Sequence, residues 1–318
     1  MTPEKKLRIG VVGIGHLGGY HLQKYARIGS CVIAAVSDSQ IEKAQKAADL
    51  YGCPAFADHR DMLDRVDAVS IAVPTGDHFA VARDFLAAGI DALIEKPLCA
   101  TLEEADELLA LARKNRLILQ VGFVERFNPA VMALEQVITR PAFIEVHRLH
   151  PFFERGTDVD VILDLMIHDL DLILKFVDAP VTRVEAVGVP ILSDKIDISN
   201  VRLSFVTGCI ANITASRISA KTMQKIRFFG PEGYHSVDCR KREVLSFSKI
   251  AGADGKPQII QNAIELGSHD PLEEEIRSFV EAVRGRSQPR VSGEDGRKSL
   301  ALAIDILQKM KTREGMPA

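Results

Sequence analysis

"LRIGVVGIGHLGGYHLQKYARI", residues 7–28, decides the fold. Its first nine residues are a run of apolar and β-branched side chains that ends in glycines, the pattern of a buried strand. The remainder has helical spacing. Gly13, Gly15 and Gly18 form a G-x-G-x-x-G turn between the two. Alone the motif is weak, because glycines also make plain tight turns. Its context adds a strand before, a helix after, and an acid, Asp38, twenty residues past Gly18 at the end of the next apolar run, "CVIAAVSD". In that setting Gly13 permits the turn, Gly15 lets backbone approach a pyrophosphate, and Gly18 lets helix and strand pack closely. His16 and Leu17 open the helix, whose N-terminal amides would face the phosphates. Asp38 would accept hydrogen bonds from the adenosine ribose. A 2′-phosphate there would meet a carboxylate with no adjacent Arg or Lys, so the expected cofactor is NAD and not NADP.

Outward from this stretch, strand and helix alternate to residue 122. "SQIEKAQKAADLYG" is a helix stopped at Gly52. "AVSIAVP" and "DALIEKP" are buried strands, "HFAVARDFLAAG" is a helix, and "TLEEADELLALARKN" is a helix with Thr101 and Glu104 in capping-box spacing. Strands that stay apolar without alternating are covered on both faces, which implies a parallel, doubly wound Rossmann sheet over residues 1–122. Ligands of such sheets lie outside the carboxyl ends of the strands. Pro74, Thr75 and His78 after one strand, and Glu95 and Lys96 after another, are therefore expected around the cofactor. The Lys96–Pro97 bond is of the kind that can be cis at modest cost.

Residues 123–318 read as a second, α+β domain. "FIEVHRL", "VTRVEAVGVPI", "NVRLSFV", "CIANITASRI", "KIRFFG" and "EVLSFSKI" are β-rich and partly alternating, suggesting a mainly antiparallel open sheet. "PLEEEIRSFVEAVRG" and "GRKSLALAIDILQKM" read as amphipathic helices. The greasy stretch "VILDLMIHDLDLILKF", residues 161–176, also reads as a helix, yet it carries Asp164, His168, Asp169 and Asp171. Asp164 and His168 are four apart and stack on one face, with Asp171 continuing it. That row is either a wet stripe, with Asp169 simply solvated, or an ionisable row lining a cleft.

The stretches "GVVGIGHLGGYH", "AAVSD", "VPTGDHF", "IEKPL", "LDLMIHDLDLI" and "VSGEDGRKSLALAIDIL" resemble the Gfo/Idh/MocA family of sugar and polyol oxidoreductases. In that family the Lys of E-K-P and the Asp and His of D-x-x-x-H form the catalytic group, which implies Lys96, Asp164 and His168 here. The resemblance also implies a cis Lys96–Pro97 bond, no metal ligands, a last helix returning to the first domain, and a homodimer or homotetramer built through the second sheet. "GFVERFNPAV" and "HPFFERGTDVDVILDLMIHDLDLI" look most like the branch of UDP-N-acetylglucosamine 3-dehydrogenases, which feeds diamino-sugar synthesis for lipid A. Arg126, Asn128, His147, Arg148 and Arg155 would then touch a diphosphate or sugar hydroxyls, because a guanidinium matches phosphate geometry. A dehydrogenase of a free polyol, aldose or sugar aldehyde is the alternative within the fold. A non-catalytic NAD-binding regulator is the alternative outside catalysis, disfavoured because all three catalytic positions are present.

Composition narrows the classes. With 318 residues and a net charge of -3, the chain is long enough for two cores and lacks the basic footprint of a nucleic-acid binder. Its apolar runs are too short and interrupted to span a bilayer. Five scattered cysteines without a CxxC pair argue against a disulfide framework or a zinc site, and fit a reducing cytoplasm.

Overall fold

The structure, a computed structural model, describes residues 5–152, 159–231, 233–252 and 256–314. It divides into two compact units: Met1–Val124 with Asp270–Arg297, and Glu125–His269 with Lys298–Ala318.

The first unit runs β1 (Leu7–Val12), α1 (His16–Tyr25), β2 (Cys31–Ser37), α2 (Ile41–Tyr51), β3 (Ala55–Phe56), β4 (Ala68–Ile71), α3 (Thr75–Ala87), β5 (Asp91–Glu95), α4 (Leu102–Asn115) and β6 (Leu119–Gly122). All six strands are parallel, in the order β3-β2-β1-β4-β5-β6. The order reverses between β1 and β4, so the carboxyl ends of these two strands flank the crevice where such sheets bind ligands. β4 and β5 are buried at every residue, as their unbroken apolar runs imply. The capping box expected at α4 is present: Thr101 accepts from the Glu104 amide while Glu104 accepts from the Thr101 amide.

The second unit contains α5 (Pro129–Leu134), β7 (Phe143–Leu149), α6 (Ile167–Val177), β8 (Val181–Val189), β9 (Ile198–Phe205), β10 (Ile210–Ser216), β11 (Met223–Gly230), β12 (Gly233–Asp238), β13 (Glu243–Ala251) and β14 (Pro257–Asn262). The eight strands lie in the order β14-β13-β12-β11-β7-β10-β9-β8, antiparallel except for the parallel pair β7–β10. Alternate residues of β7 and β9 point inward, and Val146, Val201, Leu203 and Ile213 form one core with Leu170, Leu172 and Ile173 of α6. The other side leaves apolar residues exposed, among them Val187, Leu245 and Ile259.

The last two helices divide between the units. Helix α7 (Pro271–Gly285) packs Ile276, Phe279, Val280 and Val283 into the first unit's core with Leu22 and Tyr25 of α1. It is this helix, and not the final one, that belongs wholly to the first unit. Helix α8 (Gly293–Glu314) begins there, but its Leu302, Ala303, Ile306 and Met310 join the second core. Both helices carry apolar stripes, and a stripe alone does not name the core that receives it.

Candidate active site

The glycine turn is built from close backbone contacts. Gly13 sits at φ +87°, and a Cβ there would lie 2.6 Å from the Ala72 carbonyl oxygen. A Cβ at Gly18 would lie 1.8 Å from the Gly13 carbonyl oxygen, so α1 can lean on the turn only as glycine. At Gly15 a Cβ would meet nothing within 4 Å, which leaves open space over the N-terminus of α1. This cradle fits a dinucleotide pyrophosphate: tight behind, bare in front, with helix amides aimed outward. His16 is exposed and packs edge-on against Tyr20, and Leu17 is half-buried.

Asp38 follows β2 and accepts the Ile14 amide at 2.7 Å through Oδ2 and the Gln40 amide at 2.8 Å through Oδ1. A carboxylate has about four acceptor positions, so roughly two remain for ribose hydroxyls. The same side chain therefore also pins the glycine turn. Pro74 caps α3 and Thr75 opens it. His78 is buried, with Nδ1 2.8 Å from the Pro97 carbonyl oxygen and Nε2 2.9 Å from that of Val73. It ties together the loops that leave β4 and β5. Burial holds its pKa down despite the two carbonyls.

Glu95 closes β5. Its Oε1 lies 3.0 Å from Nε2 of His21, and its Oε2 accepts the Lys96 amide at 3.2 Å. Burial opposes the charge on Glu95, but the His21 hydrogen bond and the neighbouring charges of His21 and Lys96 bring its pKa below the ordinary glutamate value. Lys96 is half-buried, and its bond to Pro97 is cis, as expected.

In the second unit, the segment carrying Asp164 and His168 is not one regular α-helix. Ile162–Met166 forms a π-helical turn, closed by the Ile167 amide on the Ile162 carbonyl, and α6 starts only at Ile167. A π turn carries one extra residue, which rotates what precedes it by about 100° relative to a continuing α-helix. The simple i, i+4 stack of the sequence reading is thus replaced by a junction between two helix types, with Asp164 inside the turn and His168 just after it. Such turns are enriched at functional sites. Both side chains are half-buried, and Nδ1 of His168 is buried.

Asp169 is not solvated. It is 1% exposed and takes two hydrogen bonds from Arg148, at 2.7 and 2.9 Å. Arg148 also reaches Glu125 at 3.2 Å. Burial works against the Arg148 charge, but the carboxylates of Asp169 and Glu125 more than offset it and hold the guanidinium protonated. Asp171 is likewise buried against Arg126, at 2.6 and 2.9 Å. Asn128 caps α5 and donates to Glu125 at 3.0 Å and to the Cys239 carbonyl at 2.8 Å. Arg126 and Arg148 thus turn donors onto Asp171 and Asp169 of the ionisable row, and Asn128 turns its amide onto Glu125 and a backbone carbonyl. His147 is half-buried on β7. Arg155 lies outside the described residues.

Sequence reasoning missed His21, Ser70 and Glu275, which pack behind Glu95. The signal was available in part. Gly18, His21, Leu22 and Tyr25 are the buried residues of α1 and follow the helical period. Glu275 falls on the buried face of α7 beside Ile276 and Phe279.

Residues 7–123 match the oxidoreductase family with an NAD-binding Rossmann fold, and residues 135–236 match the GFO/IDH/MocA C-terminal domain. The chain belongs to the Gfo/Idh/MocA oxidoreductase family. One relative in that family, the UDP-N-acetylglucosamine 3-dehydrogenase of Acidithiobacillus ferrooxidans, is 39% identical over 302 residues, covering 94% of this chain and 96% of that one. A solved structure of the Acidithiobacillus ferrooxidans enzyme has a TM-score of 0.90 at 37% identity, covering 97% of this chain and 99% of the other. The myo-inositol 2-dehydrogenase of Thermotoga maritima is 26% identical across 98% of both chains. As a member of this family the chain is an oxidoreductase with a nicotinamide-dinucleotide fold. Among the described residues no helix is long and apolar enough to cross a membrane.

Proposed function

We propose that this oxidoreductase uses NAD to oxidise a secondary hydroxyl of a nucleotide sugar, UDP-N-acetylglucosamine at C3. The observation that supports the substrate best is the 39% identity, over nearly the whole of both chains, to a UDP-N-acetylglucosamine 3-dehydrogenase. The observation that supports NAD is Asp38, whose free lone pairs suit ribose hydroxyls and repel a 2′-phosphate.

Gly13, Gly15, Gly18, the start of α1 and Asp38 would hold the dinucleotide. Bound NAD would supply the hydride acceptor. Neutral His168 takes the proton of the reacting hydroxyl, because an imidazole has its pKa near working pH. Lys96 donates to the same oxygen and stabilises the negative charge that grows on it. Asp164 holds His168 or the substrate in register. The exposed apolar side of the second sheet is the surface through which copies of the chain would associate as a homodimer or homotetramer. Five free cysteines suit a reducing cytoplasm.

The test is a screen of purified protein with NAD or NADP against UDP-N-acetylglucosamine, myo-inositol and free aldoses, followed by absorbance of the reduced nicotinamide. Turnover with NAD and the nucleotide sugar is expected. Turnover confined to a free polyol would overturn the substrate assignment, and a preference for NADP would overturn the role of Asp38.

A further inference from the structure

Behind the carboxyl end of β5, the first unit buries an unusual amount of ionisable material. His21 is 0% exposed, with Nδ1 2.7 Å from the Ser70 hydroxyl and Nε2 3.0 Å from Glu95. Glu275, from α7, is also 0% exposed. One nitrogen of His21 and one oxygen each of Glu95 and Glu275 lie within 4.8 Å of one another. Neither carboxylate oxygen of Glu275 has a hydrogen-bond partner among the described residues. An ionised carboxylate in that position would be a buried, unpaired charge beside a second carboxylate, an arrangement that costs far more than protonating one of the two.

We propose that His21, Glu95 and Glu275 form a buried positioning triad in which Glu275 keeps its proton while Glu95 is ionised, and that this triad fixes the strand end presenting Lys96. The proposal rests on the reading of Lys96 as a catalytic group.

The division of labour follows from the surroundings. Glu95 faces His21 on α1, Lys96 beside it and His78 on α3, and is the carboxylate kept ionised. Glu275 faces Glu95 on β5 and lies near Tyr25 on α1, with no cation assigned to it, and burial followed by the Glu95 charge pushes its acid well above the ordinary range. Two carboxyl groups with opposite pressures settle as one acid and one base. A neutral Glu275 adds no second charge beside Glu95. The mechanical link to Lys96 is short: His21 orients one oxygen of Glu95 while the other oxygen takes the Lys96 amide. Space on the far side is closed, since a Cβ at Gly122 would lie 3.1 Å from the Glu95 carboxyl carbon. His21 and Glu275 therefore act through Glu95, not on substrate.

The experiment uses the full-length protein. Infrared difference spectra across pH should show a protonated-carboxyl C=O band at neutral pH, shifted in D2O and absent in Glu275→Gln. Glu275→Gln, which keeps the shape of the neutral acid, should retain more of kcat with NAD and UDP-N-acetylglucosamine than Glu275→Ala. His21→Asn should lower kcat about tenfold with the NAD Kd little changed, because it loosens the aim of Lys96 and not the glycine cradle. Absence of the band overturns the proposal, as does stoichiometric divalent metal in the purified protein, which would mean two ionised carboxylates around a cation. Wild-type kcat in a folded His21→Asn overturns the positioning role. If that variant does not fold, the wild-type band still decides whether Glu275 holds a proton. Lys96→Met separates the two readings: retained turnover with the band present removes Lys96 from the chemistry but leaves the protonated acid standing.

Discussion

Neighbouring residues His168 and Asp169 should fail in opposite ways when altered. Asp169→Asn keeps the shape of the side chain and removes the charge that faces Arg148. The loss is large because both groups are almost fully buried and the guanidinium makes two charged hydrogen bonds to this one acid, at 2.7 and 2.9 Å. Breaking a buried pair by removing one partner costs about 3–5 kcal/mol. Here Glu125, at 3.2 Å, remains as a second partner for Arg148 and the asparagine oxygen can still accept, so about 3 kcal/mol is expected. In a unit of this size 1 kcal/mol moves the unfolding midpoint by about 2–4 °C, which places the fall in Tm at roughly 6–12 °C. Urea and thermal unfolding followed by circular dichroism read this directly. Turnover per folded molecule should remain near wild type. Converting both partners to apolar residues, Asp169→Leu with Arg148→Met, should recover part of the loss, because neither member of the pair is then stranded, while Glu125 loses Arg148 and keeps only the Asn128 amide. His168→Ala should do the reverse, lowering turnover by roughly 10²–10⁴-fold with little change in Tm. A destabilisation of less than about 1 kcal/mol in Asp169→Asn would refute the buried-pair argument. A loss of turnover equal to that of His168→Ala would instead put Asp169 in the chemistry.

Three further outcomes test other parts of the reasoning. Gly18→Ala should abolish dinucleotide binding in whatever protein folds, because the new Cβ meets the Gly13 carbonyl at 1.8 Å; unchanged NAD titration by tryptophan-free fluorescence of bound NADH would contradict the cradle. Asp38→Ala should weaken NAD binding and narrow its advantage over NADP, and should also loosen the turn by freeing the Ile14 amide, visible as faster amide exchange there. Glu275→Gln should flatten the pH dependence of stability. Burial and the Glu95 charge raise the folded-state pKa of Glu275 above its unfolded value, so the native state keeps a proton that the unfolded chain releases. Stability from this group is present below the unfolded pKa and is lost as pH rises through the folded one, at up to about 1.4 kcal/mol per pH unit inside that window. The Tm advantage of the glutamine variant should therefore grow as pH rises above the ordinary glutamate range, and a constant difference would refute the assignment.

Features that depend on local order along the chain were legible before any fold was known. The strand, glycine turn and helix of residues 7–28 are contiguous, so spacing alone located the cradle and Asp38, and the continuous apolar runs at 68–71 and 91–95 announced strands covered on both faces. Alternation in "FIEVHRL" and "NVRLSFV" likewise foretold a sheet with two unlike sides. Which distant group each charge meets emerged only from the packed fold. Asp169 read as solvated because a one-dimensional pattern shows an acid but not Arg148 twenty-one residues away on another element. Arg126 and Arg148 read as groups for a diphosphate or sugar hydroxyls, and the sequence could not show the acids they also meet, since a guanidinium suits a carboxylate as well as a phosphate. The π turn at Ile162–Met166 was invisible because periodicity assumes one residue count per turn. Glu275 lies 180 residues from Glu95, on a helix whose apolar stripe would have fitted either core. Its burial follows from where that stripe packed, and so does the charge state of the acid.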